Sequence, residues 1–304
     1  MRNASLKQLR MLAAVVRTGS ITAAAESLNV TPPAITMQLR LLQDHAGLPL
    51  VERSPGGMAA TEAGRLVAEA AARMDAILLD CGGALADLAG GSKGSVAVGV
   101  VSTAKYFAPR ALAEFLRRHP GIDLRLTIGN RAEIIDGLAR LELDIAIMGT
   151  HPEAFAVDTG LIGDHPHVVV APPDHKLAGR ARIAPHLLGN EIFLVREPGS
   201  GSRGLMERFF DKEGVKPRIG MQISSNETIK QAVMAGLGIT FISAHTIEAE
   251  IADRRLAVLN VSGLPVMRKW YAVHARERSL LPAARSLFRF LTEEGHRYLP
   301  VMPP

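Results

Sequence analysis

Cys81 is the only cysteine in 304 residues, so no intrachain disulfide can form and a reducing compartment, the cytoplasm, is expected. Aromatic residues make up 4% of the chain, too few for the stacked platforms that grip single-stranded nucleic acid. No apolar run is long enough to span a bilayer, and the amino end lacks the apolar stretch and cleavage site of a secretory leader, so neither membrane insertion nor secretion is expected. There is no G-x-S-x-G elbow and no His-Glu-x-x-His. The ten histidines are scattered, and His165 and His167 are too close for a helical metal pair, with no cysteine or carboxylate cluster beside them. No catalytic set and no metal site emerge, and the chain is expected not to be an enzyme.

What is present begins at Ser20–Leu42. Ser20 can cap a short helix whose Ala23, Ala24, Ala25 and Leu28 form a small, close-packing face. Asn29-Val30 breaks the pattern. Thr31 then stands at an N-cap position, with Pro32 and Pro33 in the following first turn, where a missing N–H costs little. Ile35, Leu39 and Leu42 recur at helical spacing, which leaves Thr36, Met37 and Arg40 on the opposite face. Two short helices with an exposed polar second face describe a helix-turn-helix suited to the DNA major groove; the alternative is a helical hairpin inside a larger core. The formal net charge of +5 favours a polyanionic partner, with Arg2, Lys7, Arg10, Arg17, Arg40 and Arg53 set against Glu26, Asp44 and Glu52.

A preceding helix from Ser5 to Thr18 would pack beneath this pair and end at Gly19. After Gly47, short extended pieces at 48–51 and 58–60, joined by a turn over 53–57, form a two-stranded wing. Arg53 there is read as a DNA contact in preference to a solvated charge. Thr61 caps a long helix to about Ala89, in which Val67, Ala70, Met74, Ile77, Cys81, Ala84 and Leu88 form a heptad seam. That seam implies a second copy of the chain as partner, the alternative being docking on the chain's own C-terminal domain. Cys81, on the seam, is a packing residue. Gly90-Gly-Ser-Lys-Gly-Ser95 is a linker.

Beyond it, strands and helices alternate. Strands are predicted at 96–101, 122–128 and 143–148, with helices between them, implying a parallel sheet covered by helices. A second set follows, with strands at 168–171, 192–195, 220–224, 239–242 and 256–260 and helices near 202–213, 227–235 and 246–252. A late strand at 270–274 and a closing helix at 282–294 would return to the first lobe. Two α/β lobes leave a cleft between them.

Gly199-Ser-Gly-Ser-Arg-Gly204 matches G-x-G-x-x-G. A dinucleotide site fits it poorly, because Pro198 stiffens the approach and the strand before it does not open a βαβ unit. Free N–H groups at a helix start, with Ser200, Ser202 and Arg203, form an anion cradle; a simple glycine turn is the alternative. Ser102-Thr103 and Ser224-Ser-Asn226 provide two further hydroxyl-rich helix entrances, each of which could also be a plain N-cap.

These segments together resemble the LysR-type transcriptional regulators over essentially the whole chain. Thr31-Pro-Pro-Ala-Ile-Thr-Met-Gln38, Val101-Ser-Thr-Ala-Lys-Tyr-Phe107, Arg196-Glu-Pro-Gly-Ser-Gly-Ser-Arg203 and Ser225-Asn-Glu-Thr-Ile-Lys-Gln231 are similar to the CbbR branch, which controls carbon-dioxide-fixation (Calvin cycle) operons. The resemblance implies an all-α winged helix-turn-helix over 1–61, a linker and dimerisation helix over 62–91, and a two-lobed, periplasmic-binding-protein-like α/β effector domain over 92–304. Lobe I would comprise about 92–161 and 267–304, and lobe II about 162–266. It implies that Thr31, Pro32, Pro33, Thr36, Met37, Arg40 and Arg53 face double-stranded DNA. Pro32 and Met37 stand where many members carry a polar residue and an arginine, which favours contact with thymine methyls over guanine reading. It places the effector at Ser102, Thr103, Thr150, Arg196, Ser202, Arg203 and Asn226. It implies a small anionic effector such as ribulose bisphosphate, phosphoenolpyruvate or NADPH, a homodimer or homotetramer, activator function with RNA polymerase as partner, and no cofactor. The alternatives are a regulator of another metabolic operon, a dinucleotide-dependent enzyme and a solute-binding protein.

Overall fold

The computed structural model describes residues 1, 3–88 and 94–301, and leaves the side chains of 76, 79, 80, 83, 84 and 86–88 outside the description. Ala89, the linker residues 90–93 and the seam side chains of Ala84 and Leu88 therefore lie outside the described residues. The chain divides into two compact units, one of Met1–Leu85 with Arg140–Glu142 and one of Ala86–Ala139 with Leu143–Pro304.

In the first unit, α1 (Leu6–Thr18) opens with a capping box: the Gln8 N–H donates to Ser5 Oγ, and the Ser5 N–H donates to Gln8 Oε1 at 2.9 Å. Gly19, left-handed at φ 65°, ends it. The Ser20 side chain caps α2 (Ile21–Ser27), and left-handed Asn29 makes the turn into α3 (Pro32–Ala46). Leu9, Leu12, Val15, Ala24, Ala25, Ile35, Leu39 and Leu42 are buried together, as their spacing requires. The wing is tighter than its sequence suggests. β1 (Val51–Ser54) pairs antiparallel with β2 (Gly57–Ala60), so Arg53 lies in a strand opposite Met58 and the turn is Pro55-Gly56 alone. The wing is tied to α1: the Met58 N–H donates to the Gly19 carbonyl at 2.7 Å, and a Cβ on Gly57 would come within 2.4 Å of that same oxygen. Thr61 caps α4 (Glu62–Leu88) by accepting from the Gly64 N–H. Of the predicted seam, Val67 packs partly on this unit's own core, whereas Ala70, Met74, Ile77 and Cys81 are exposed, as are Leu66, Leu78 and Leu85.

The second unit contains β3 (Ser95–Val101), a one-turn 3-10 helix (Ala104–Tyr106), α5 (Ala108–Arg118), β4 (Asp123–Gly129), α6 (Arg131–Ala139) and β5 (Ile145–Met148). β6 (Val157–Ala171), β7 (Ile192–Val195), α7 (Gly201–Lys212), β8 (Arg218–Gln222) and α8 (Asn226–Met234) follow. β9 (Thr240–Ser243), α9 (Glu248–Ala252), β10 (Ala257–Leu259), β11 (Val266–Ala275) and α10 (Pro282–Glu294) complete it. The expected parallel sheet is in fact mixed. β3 runs parallel to β4 and β5, but β11 is antiparallel to both β5 and β6. The main sheet has the order β10-β6-β11-β5-β3-β4, with β9 also on β6, and β7-β8 form a separate parallel pair. The physical reason lies in β6 and β11, much longer than predicted, which pair over ten residues and run from one lobe to the other. Their register shifts at Trp270/Tyr271, a bulge that bends the pair where it crosses. One core packs β3, β5, α5 and α10 around Trp270; the other lobe packs two cores, one around Phe193, Phe209 and Phe210 and one around Val168, Ile229 and Ile242.

Candidate nucleic-acid interface and effector cleft

Thr31, Pro32, Pro33, Thr36, Met37 and Arg40 are all exposed on α3, and Arg53 is exposed on β1. Unlike Ser5 and Ser20, Thr31 makes no side-chain capping bond. The helix entrance offers few donors, because Pro32 and Pro33 have no N–H and the Ala34 and Ile35 N–H groups both donate to the Thr31 carbonyl, at 3.0 and 3.2 Å. Thr36 donates its hydroxyl to the Pro32 carbonyl at 3.1 Å, which leaves its methyl and lone pairs facing out. The surface is therefore apolar and hydroxylic at the helix start and cationic one to two turns on.

In the second unit a cleft opens at the carboxyl ends of β3 and β5. Its inner chamber, about 40 Å³, is lined by Ser102, Thr103, Thr150, Arg196 and Ser202 among others. An outer mouth of about 490 Å³ shares Arg131, Thr150, Ser200, Gly201 and Arg268 with it and adds Arg203 and Arg208. Five of the seven effector residues named from the sequence thus line the inner chamber. Arg203 lines only the mouth, and its guanidinium is engaged by Glu207 at 2.8 Å, the Gln222 side chain at 2.9 Å and the Arg196 carbonyl at 3.1 Å. Asn226 does not line the cleft; its side-chain oxygen accepts from Arg196. Arg196, 5% exposed, is held by both oxygens of Glu197, at 2.7 and 2.8 Å, and reaches Ser102 Oγ at 3.4 Å. Its charge is matched inside the protein, so it orders the cleft wall.

The cationic groups that line the cleft without such a match are Arg131, at the start of α6, Arg208, on α7, and Arg268, on β11. Arg268 is mostly buried. Desolvation holds its pKa below the ordinary guanidinium value, and Arg208 and Arg131 add repulsion. Among the described residues no carboxylate ion-pairs with any of the three. Glu153 and Glu207 also line the mouth, but Glu207 pairs with Arg203. The start of α7 points N–H groups the same way, since Gly201, Ser202 and Arg203 occupy a first turn that has no intrahelical acceptors.

His165 and His167 line the inner wall, although neither is a predicted site residue. Two residues apart on β6, they share one face of the strand. An H-x-H in a strand would have revealed them, but Gly163, Asp164 and Pro166 hide the strand in the sequence. The His167 Nδ1–H donates to the His165 carbonyl at 3.3 Å, and in the neutral ring Nε2 then accepts from Ser202 at 3.4 Å. Burial pushes the His167 pKa down to about 3 and that of His245 to about 4, and pushes His165 well below the usual imidazole range. Beyond the cleft, the Tyr106 hydroxyl donates to Glu227, and buried Lys230 lies 4.8 Å from the Tyr106 ring while pairing with Glu250 at 2.9 Å.

Comparison with known proteins matches residues 6–65 to the family profile of bacterial regulatory helix-turn-helix proteins of the lysR family, and residues 89–295 to the LysR substrate binding domain. The HTH-type transcriptional regulator CbbR of Xanthobacter flavus is 54% identical over 98% of this chain and 90% of its own length. The RuBisCO operon transcriptional regulator of Allochromatium vinosum is 44% identical over 96% of this chain and 97% of its own. Among solved structures, the regulatory domain of Synechocystis PCC6803 CcmR in complex with 2-PG superposes with a TM-score of 0.64 at 34% identity, over 66% of this chain and 99% of that one. No described helix is long and apolar enough to cross a membrane. The dinucleotide-enzyme reading of Gly199–Gly204 gives way to these matches: the chain belongs to the LysR family of transcriptional regulators.

Proposed function

We propose that this LysR-type regulator controls carbon-dioxide-fixation genes in response to a small phosphorylated metabolite held in the cleft of its second unit. The observation that carries the effector reading is the set of three arginines, 131, 208 and 268, which line the cleft mouth with no ion-pairing carboxylate among the described residues. Such a site gains most from an anion. The 2-PG bound by CcmR and the names CbbR and RuBisCO operon regulator support the class of ligand and of target. The inner chamber has room for roughly three waters. It suits one acid group, with the rest of the ligand in the mouth. Ser102, Thr103, Thr150, Ser202, Arg131 and Arg268 contact the ligand, while Arg196 and Asn226 position the wall and Arg203 fixes the start of α7.

The DNA-binding unit covers 1–61 and reads the duplex with Thr31, Pro32, Pro33, Thr36, Met37 and Arg40, with Arg53 of the wing on the backbone. The exposed stripe Leu66, Met74, Ile77, Cys81 and Leu85 supports a dimer through the linker helix 62–91, and two such dimers form the tetramer. The effector domain is 92–304, with lobe II about 162–266. The protein works in the cytoplasm as an activator with RNA polymerase. Ligand that favours one lobe arrangement favours one shape of the DNA-bound assembly. A mobility-shift assay tests this with duplex from upstream of a RuBisCO operon, with and without 2-PG, ribulose bisphosphate, phosphoenolpyruvate or NADPH. Specific binding whose mobility or affinity changes with at least one of them is expected. Equal binding to a scrambled duplex would overturn the reading.

A further inference from the structure

The inner end of the cleft contains one buried polar atom that the fold leaves unused. His165 is 3% exposed and lines the chamber, and its Nδ1 has no hydrogen-bond partner among the described residues. Every other edge of the ring is engaged. Nε2 meets Ser243 Oγ at 2.9 Å, and the faces lie against Trp270, with centroids 3.7 Å apart at 16°, and His167 at 4.2 Å. Nδ1 faces Gly149, another lining residue, where a Cβ would stand 3.0 Å from it. A side chain at 149 would press on this atom, whose own accessible surface is below 1 Å². A buried polar atom without a partner is costly, and a fold retains one where something else supplies the bond.

We infer that His165 Nδ1 is the innermost ligand contact of the cleft, donating a hydrogen bond to an acidic oxygen of the bound metabolite. The inference rests on the cleft being the effector site. The required tautomer is available. Ser243 Oγ has no other hydrogen-bond acceptor among the described residues, so its hydroxyl donates to Nε2 and Nδ1 carries the proton. The ring stays neutral because burial, with His167, His245 and Arg268 around it, disfavours the imidazolium. The positive charge that balances the anion comes from Arg268 and Arg131, and the histidine supplies direction. Gly149 is then a specificity element, since any larger residue would close the approach.

The test uses the only tryptophan, Trp270, which is fully buried and stacked on His165, as a built-in reporter. 2-PG and inorganic phosphate are titrated into the full-length protein and followed by Trp270 emission and calorimetry. His165→Asn keeps a polar group at the Nδ1 position, His165→Gln keeps one toward Ser243, and His165→Phe keeps the ring alone. With the unmodified protein as reference, His165→Phe and Gly149→Ala are expected to lose about tenfold or more in 2-PG affinity. His165→Asn should retain more affinity than His165→Gln. Binding by His165→Phe within twofold of the unmodified protein would overturn the inference, as would rescue by Gln equal to rescue by Asn. If the unmodified protein binds neither probe, the cleft reading itself fails and this inference with it.

Discussion

The starts of α3 and α7 are the same structural object built in opposite ways. Both open a helix on an exposed or cleft-lining surface, and both follow a hydroxyl residue, Thr31 or Ser200, that makes no capping bond. At α3 two prolines remove the first N–H groups and the Thr31 carbonyl takes the next two, so the exposed surface there offers methyls, a hydroxyl and, further along, arginine. At α7 glycine and serine keep the first-turn N–H groups, and Arg268 and Arg131 add charge. An element with an intrinsically positive end can thus be muted for reading shape and methyl groups, or left bare for holding an anion. The two units also differ in their histidines: the first has His45 alone, on its surface, and the second buries His165, His167 and His245.

The largest expected effect separates the units by pH. The three buried histidines have folded-state pKa values below the unfolded value near 6.5, with His167 at about 3 and His245 at about 4. The unfolded chain therefore takes up protons that the folded one refuses. Their contribution is complete above pH 6.5 and is lost progressively as pH falls below it. Calorimetry between pH 7.5 and 5 should show the second unit's transition falling steeply while the first unit's holds. A parallel decline of both would break the comparison.

Next in size, Arg40→Ala with Arg53→Ala should weaken duplex binding by about 10- to 100-fold and lower its salt slope by about one to two, leaving 2-PG affinity unchanged. Arg268→Ala should do the reverse. Fluorescence titration is expected to show a loss of about tenfold or more in 2-PG affinity, with an apo melting temperature equal to or above that of the unmodified chain, because a desolvated, repelled charge has gone. The smallest effects exchange the two helix starts. Gly201→Pro, which removes one N–H from α7, should weaken 2-PG binding roughly threefold; Pro32→Ser with Pro33→Ala should tighten non-specific DNA binding by a similar factor, measured by fluorescence anisotropy.

The first unit was largely legible because its signals are local. Ser5, Gly19, Ser20 and Gly47 stand within a residue of the ends they set, and Ile35, Leu39 and Leu42 name their own buried face. The wing turn starts two residues later than the sequence predicts, because Arg53 and Ser54 carry no strand signal and are held by pairing with Met58 and Gly57. In the second unit β6 was seen only over its last four residues. Its glycines, histidines and Pro166 read as loop, and β11 holds them in register. The hydroxyls at the ends of strands were visible as site residues, but Arg131 and Arg268 were not, since only the sheet order brings positions so distant in sequence to one mouth. Arg203 reads as part of a cradle in the sequence, although Glu207, four residues on, offers the helical partner that it takes.

The central claim is that the cleft senses an anion and the first unit's hold on DNA answers to it. The direct measurement is the affinity of the full-length protein for duplex from upstream of a RuBisCO operon, by anisotropy at fixed salt, across a 2-PG titration, for the unmodified chain and Arg268→Ala. The account predicts a saturable change in affinity or limiting anisotropy for the unmodified chain, shifted to about tenfold higher 2-PG or abolished in the variant. An unmodified chain that ignores saturating 2-PG, or a variant that responds at the same concentration, would contradict it.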